Sequence, residues 1–337
     1  MSEIRIDPIT KRQVIFAKER ELRPSDLWTK NVKKLFLDME KREDFDPQCP
    51  FCRGNEEITP PQRMSYPGEG DWEVRIVPNK FPAIREEASV KRIKTNLLFQ
   101  KYSAIGYHDV IIESPLHNDN YFSMSKEHFE KMIRMMYQRY AQMIEDEKVD
   151  FVSFFKNYQR LAGASLYHPH SQLIGLNSIP DFVRYEVEGS GSYYEKSGKC
   201  PYCDILKVEI SKRERLVFEN ESFAAICPYA PKYKYEVWII PKKHLAFFEE
   251  ETEIQALSSI LYRIFGMMNR VLGDFPYNFY LHALPKSMAG CEEFYHYHFE
   301  INPRISGNAG FELGTGIYIN SVFPEQAAEN LLKGEKR

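Results

Sequence analysis

Apolar and polar residues change their periodicity along this 337-residue chain in well-bounded blocks. Period-two alternation, or short apolar runs bounded by Pro and Gly, predicts strands at 13–17, 72–78, 107–114, 150–157, 235–240 and 278–282. Two further strands carry histidines, around 168–174 and 294–301. Two longer stretches adopt a period of 3.6. Over 125–147, Phe129, Ile133, Met136, Tyr140 and Met143 form one stripe behind a candidate N-cap, Ser125. Over 252–272, Ile254, Leu257, Leu261, Ile264, Phe265 and Met268 do the same behind Thr252. Both stripes read as core-facing. Residues 181–199, including Gly189-Ser190-Gly191-Ser192, read as a polar linker.

The blocks repeat. Each half opens with Cys-Pro-aromatic-Cys, at Cys49–Cys52 and Cys200–Cys203. An apolar strand then ends in Pro and, shortly after, His: Pro115 with His117, and Pro241 with His244. An amphipathic helix, a strand, a loop and a strand bearing His-x-His follow in both. His117 and His168 are 51 residues apart; His244 and His296 are 52 apart. Shared order and spacing predict a duplicated α+β unit, with antiparallel sheets and flanking helices, in domains at 1–180 and 200–337.

Charge narrows the partners. With 45 basic and 48 acidic residues, the net charge of -3 provides no field to recruit nucleic acid or a membrane surface. No apolar run reaches membrane-spanning length, and Met1–Asp7 lacks the apolar core of a signal peptide, so a cytoplasmic location is expected. In that setting, cysteine pairs spaced by two residues indicate metal or redox chemistry rather than disulfides. Their polar, loop-forming surroundings favour metal. Each half supplies two thiolates and two imidazoles, a tetrahedral zinc set with no open position. The expected ligands are Cys49, Cys52, His117 and His168, then Cys200, Cys203, His244 and His296.

The repeat is unequal at one point. Along a strand, His168, His170 and Gln172 would share a face. In the second half His170-x-Gln172 becomes His298-x-Glu300, and a carboxylate there would repel phosphate. The reaction centre is therefore assigned to the first half. A neutral imidazole attacks phosphorus near neutral pH. At the α-phosphate of a nucleotide diphosphate it would form a nucleotidyl-histidine, which a second phosphate-bearing acceptor collects in a ping-pong transfer. Gln172 would donate to the phosphoryl oxygens. Asn157, Gly163 and Ser165 are further candidate donors.

The Gly163-Ala164-Ser165 and His168-Pro169-His170-Ser171-Gln172 motifs, together with the paired cysteine knuckles, resemble the galactose-1-phosphate uridylyltransferase family of the histidine-triad superfamily. The resemblance covers nearly the whole chain. It implies a uridylyl-histidine on His170, aided by Gln172, with His168 on zinc. It also implies nucleotide or phosphate contacts from Arg20, Arg23, Asn79, Asn157, Gly163 and Ser165, a hexose contact from Glu312, and a homodimer that shares its active sites. Some positions depart from that pattern. Asn79-Lys80 stands where Asn-Asp is usual, and about Ser306 and Tyr318 the family has a Lys and a Gln that hold the hexose phosphate. The run Gly310-Phe311-Glu312-Leu313-Gly314-Thr315-Gly316 is more like the plant-type ADP-glucose phosphorylases of the same family, which pass a nucleotide to inorganic phosphate.

The expected activity is thus nucleotidyl transfer from UDP-glucose or UDP-galactose to a hexose-1-phosphate. The alternative is phosphorolysis of ADP-glucose to release glucose-1-phosphate. A histidine-triad hydrolase fits less well, because its third histidine is Gln172 here. A zinc-ribbon-like nucleic-acid binder is disfavoured by the charge balance. His108, His128 and His282 read as structural or exposed, and Cys227 and Cys291 as small buried residues.

Overall fold

The computed structural model describes residues 2–22, 43–68, 70–87, 93–94 and 98–335. The strands are β1 (Glu3–Ile6), β2 (Gln13–Phe16), β3 (Met64–Tyr66), β4 (Val74–Pro78), β5 (Ile93–Lys94), β6 (Gln100–Lys101), β7 (Gly106–Ile112), β8 (Phe151–Tyr158), β9 (His170–Leu176), β10 (Leu216–Glu219), β11 (Phe223–Ile226), β12 (Val237–Pro241), β13 (Tyr277–His282), β14 (His298–Pro303) and β15 (Tyr318–Asn320). The helices are α1 (Lys126–Glu145), α2 (Asp181–Ser197), α3 (Pro201–Lys212), α4 (Ile254–Leu272), α5 (Gly310–Thr315) and α6 (Pro324–Glu335).

Ten strands form one antiparallel sheet in the order β10-β11-β12-β14-β13-β8-β9-β7-β4-β3. The order reads as a strand series and its mirror image. The series β8-β9-β7-β4-β3 of the first half matches β13-β14-β12-β11-β10 of the second, and β8 pairs with β13 at the centre. The duplication expected from the spacing is therefore built as one continuous sheet. Each half contributes a long helix, α1 or α4, and the two pack together on one face. Their apolar stripes are buried against β-strand residues such as Ile111, Phe154, Ile239 and Phe279. Ser125 caps α1 as predicted, accepting the His128 N–H. The second helix begins at Ile254 after Glu253 rather than behind Thr252.

The supposed linker is a helix. Residues 181–197 form α2, which with α3 covers the opposite face of the second half through Val183, Val187, Tyr202 and Leu206. Its glycines are packing sites. A Cβ on Gly189 would lie 2.1 Å from the Ile9 carbonyl oxygen, so only glycine lets α2 approach that backbone. The second cysteine knuckle does not sit in a loop either. Cys200 occupies the N-cap of α3, and Pro201 opens the helix where no backbone donor is needed.

Candidate active site and metal groups

The chain enters the site through a tight turn. Gly163 ends a 3-10 turn at Arg160–Ala162 with φ of 90°, a left-handed position that suits glycine. After it, Ser165, Leu166 and Tyr167 are exposed and His168, Pro169 and His170 are buried. The strand starts at His170, not before. His168 consequently leaves the strand's alternation and turns to the first cysteine knuckle, while His170 and Gln172 remain on one face of β9.

The eight predicted ligands gather into the two predicted groups, each with its ligand atoms within 4.8 Å of one another. In the first, Cys52 Sγ lies 3.5 Å from His117 Nδ1 and 3.6 Å from His168 Nδ1. In the second, Cys203 Sγ lies 3.2 Å from His244 Nδ1 and 3.8 Å from His296 Nδ1. Tetrahedral zinc with ordinary bond lengths needs S-to-N separations of about 3.6 Å, so both donor sets fit such an ion. The tautomers also fit. His168 Nε2 donates to the Ser114 carbonyl at 2.8 Å, and His244 Nε2 to the Glu292 carbonyl at 2.6 Å. Each ring therefore directs an unprotonated Nδ1 at the sulfurs.

The thiols are electrostatically distinct. Burial pushes Cys49 up to about 12. The Cys200 hydrogen bond is the largest of the effects that bring Cys203 down to about 3. Burial lowers His168 to about 3.

His170 sits beside the first group. Its Nδ1 donates to the His168 carbonyl at 2.8 Å, which leaves Nε2 with its lone pair and no hydrogen-bond partner among the described residues. Burial lowers its pKa, and the nearby Lys156 charge acts in the same direction. The ring is neutral at physiological pH. Behind the strand, Lys156 and Glu113 form a fully buried ion pair, and Lys156 Nζ donates to the His170 carbonyl at 3.2 Å. Tyr121 Oη completes the Glu113 carboxylate at 2.6 Å. Neither Lys156 nor Glu113 was singled out from sequence, because residues 43 apart meet only through sheet pairing.

Gln172 lies opposite Val110 of β7 and Phe155 of β8. Its Oε1 is 2.8 Å from His108 Nε2. Asn79 joins the same cluster, with Nδ2 3.1 Å from that nitrogen and Oδ1 accepting the Phe81 N–H at 2.8 Å. Asn157 lines a cleft with His168 and His170, and its Oδ1 accepts from Asn278 Nδ2 at 2.7 Å across the central β8–β13 seam. The structure thus brings Asn79, Asn157, His170 and Gln172 to one region.

It leaves two other predicted contacts apart. Arg20 lies in the turn after β2, which is tied to β15 through the Ala17-to-Asn320 backbone bond. Glu312 lies on α5 and accepts the Ala309 N–H at 2.9 Å. Neither has a contact with His170 among the described residues. Arg23 lies outside the described residues.

The second half keeps the scaffold and changes the chemistry. His282 meets Glu186 of α2 at 3.0 Å, His298 Nε2 lies 3.8 Å from Glu300, and Lys232 pairs with Glu300 at 2.9 Å. Burial raises the Glu300 pKa, but Lys232 and the histidines outweigh it and hold the group well below its ordinary value. A charged carboxylate therefore occupies the place of Gln172. Of the two alternatives for His282 and His128, structural or exposed, the structure shows the structural one. His282 belongs to this buried network, and His128 Nε2 bonds the Glu113 carbonyl at 2.6 Å. Glu186 was missed because it lay in the supposed linker.

The α+β sheet is thus duplicated, with Cys2His2 groups in both halves and, in the first, His170 with a free Nε2. The chain belongs to the galactose-1-phosphate uridyl transferase family: the family's N-terminal domain matches residues 1–180 and its C-terminal domain residues 182–332. It is similar to the ADP-glucose phosphorylase of Arabidopsis thaliana, 31% identical over 332 residues, covering 97% of this chain and 91% of that one. It is also similar to the galactose-1-phosphate uridylyltransferase of Thermotoga maritima, 27% identical over 344 residues and 99% of both chains. The crystal structure of the Arabidopsis thaliana ADP-glucose phosphorylase with bound ADP-glucose superposes with a TM-score of 0.81 at 30% identity, covering 99% of each chain. A solved uridylyltransferase structure gives 0.74 at 26% identity, over 100% of this chain and 99% of that one.

Proposed function

We propose that His170 carries a nucleotidyl group between a nucleotide sugar and a phosphate-bearing acceptor, with UDP-glucose or UDP-galactose as donor and a hexose-1-phosphate as acceptor. The observation that carries this reading is the neutral His170 ring, anchored through Nδ1 and free at Nε2, beside Gln172. Nε2 attacks the α-phosphorus, forming a P–N bond as the P–O bond to the sugar-1-phosphate breaks. That oxygen leaves with the electron pair. The acceptor's phosphate oxygen then attacks the same phosphorus, the P–N bond breaks, and the neutral imidazole returns. Gln172, Asn79, Asn157, Gly163 and Ser165 donate to the phosphates. Arg20, Arg23 and Glu312 serve the nucleotide and hexose ends, in a homodimer that shares its active sites.

Zinc is the ion both Cys2His2 sets suit, and when bound it supplies structural cross-linking. Cys49, Cys52, His117 and His168 would tie the first knuckle to the turn that leads into His170.

A second reading, phosphorolysis of ADP-glucose, is favoured by the 31% identity to the Arabidopsis thaliana ADP-glucose phosphorylase and by the Gly-Phe-Glu-Leu-Gly-Thr-Gly run on α5. One experiment tests both. The protein is incubated with UDP-glucose or ADP-glucose labelled in the α-phosphate and run on a denaturing gel. Label on wild type and none on His170→Ala, at equal metal content, supports the nucleotidyl-histidine. Label retained by His170→Ala refutes it. Discharge of the label by galactose-1-phosphate or by inorganic phosphate separates the two acceptors.

A further inference from the structure

From sequence His108 reads as structural or exposed; in the fold it stands between the Asn79–Ala83 segment and Gln172. It projects from β7, where its backbone pairs with Ile174 of β9. Its ring has one contact whose polarity is fixed: the backbone N–H of Ala83 points at Nδ1, 3.1 Å away. A backbone amide only donates, so Nδ1 must be the unprotonated nitrogen and Nε2 must carry the proton. Nε2 then donates to its nearest acceptor, Gln172 Oε1, at 2.8 Å. An amide has one accepting end and one donating end. With Oε1 held by His108, the Gln172 NH2 group is the end left for a ligand.

The same logic reaches Asn79. Its Oδ1 is taken by the Phe81 N–H, so its NH2 group also lies on the His108 side, 3.1 Å from Nε2. Both atoms of that last contact are donors in this tautomer, so it is not a hydrogen bond. The Asn79 NH2 group thus meets the His108 ring, and the Gln172 NH2 group is the donor end that His108 leaves free. The second half lacks this device: the residue at the Gln172 position is Glu300, which is paired with Lys232.

We infer that His108 is a positioning residue for nucleotidyl transfer: as the Nε2–H tautomer set by Ala83, it locks the Gln172 amide with its donor end toward the transferring phosphoryl group. The inference rests on the proposed reaction at His170. It adds a tautomer relay that runs from a backbone N–H in the 79–83 loop to the amide beside the nucleophile. Without it, the Gln172 amide is free to flip and present Oε1, an acceptor, to an anion.

The test combines kinetics with a direct reading of the ring. Single-turnover labelling of His170 from α-phosphate-labelled nucleotide sugar is measured for wild type, His108→Phe, His108→Gln, Gln172→Ala and the His108→Phe/Gln172→Ala double variant. His108→Phe should slow labelling by about 10- to 100-fold, with KM and metal content little changed. His108→Gln, which keeps a side-chain donor, should recover much of the rate. On the Gln172→Ala background His108→Phe should cost little more, since its effect passes through Gln172. A full additional loss there, a wild-type rate in His108→Phe, or a loss confined to KM would overturn the inference. Long-range nitrogen–proton NMR on histidine-labelled, nucleotide-free wild type reads the tautomer independently: Nε2–H supports the relay and Nδ1–H overturns it. Failure of wild type itself to take label would strike at the nucleotidyl-histidine reading; a labelled wild type with an unaffected His108→Phe strikes only at His108.

Discussion

Replacing Lys156 with Met removes one half of an ion pair that has no access to water. Lys156 is 1% exposed and Glu113 0%, and Tyr121 Oη is the only other group bonded to that carboxylate among the described residues. At hydrogen-bonding distance, about 3 Å, and an effective dielectric of about 20, the attraction is about 5–6 kcal/mol. Much of it offsets the desolvation of two charges, which the pair suffers on folding. Lys156→Met leaves that cost on Glu113 without the compensation. The expected loss is about 3–5 kcal/mol. With a urea slope of about 3 kcal/mol/M, the unfolding midpoint should fall by about 1–1.7 M. The double variant Lys156→Met/Glu113→Gln removes both charges and should recover most of the loss, to within about 1–2 kcal/mol of wild type. It should also retain labelling at His170, because Lys156 lowers the His170 pKa while Glu113 raises it, and the two effects oppose. The measurement is urea unfolding followed by tryptophan fluorescence on the four members of the cycle. A double variant as unstable as Lys156→Met alone, or a single variant within about 1 kcal/mol of wild type, would refute the reasoning.

Two further outcomes follow from the same groups. Cys52→Ser and Cys203→Ser should each lower bound metal from about two to about one ion per chain by elemental analysis, and the double variant should hold none; only Cys52→Ser should also impair labelling, since its group holds His168 next to His170. In metal-free protein, His168, lowered to about 3, and His170, also lowered, stay neutral in the fold while the unfolded chain protonates near 6.5. Their contribution to stability should therefore be level above pH 6.5 and fall below it, by up to roughly 1.4 kcal/mol per pH unit for each histidine; a His170→Ala variant whose unfolding midpoint is more acid-sensitive than that of wild type would contradict the assignment. In metal-loaded protein the labelling rate should likewise show no titration at or above pH 6.5.

The spacing of Cys-x-x-Cys, Pro, His and His-x-His determined the duplication and all eight candidate metal ligands, because metal ligation restricts residue type at each position and a repeat displays the restriction twice. It also determined the unequal point, Gln172 against Glu300. What it left open depended on which strands pair. Sheet order brings Lys156 to Glu113 and His108 to Gln172, contacts that join residues 43 and 64 apart. No local periodicity encodes such a meeting. Composition misled over 181–199, where glycine and serine suggested a loop. There Gly189 serves close helix-to-backbone packing against Ile9, and that demand exists only once the chain is folded. The sequence by itself named the candidate nucleophile and its amide. Only the tertiary structure, by placing a backbone N–H on His108 Nδ1, decided which end of that amide His108 holds.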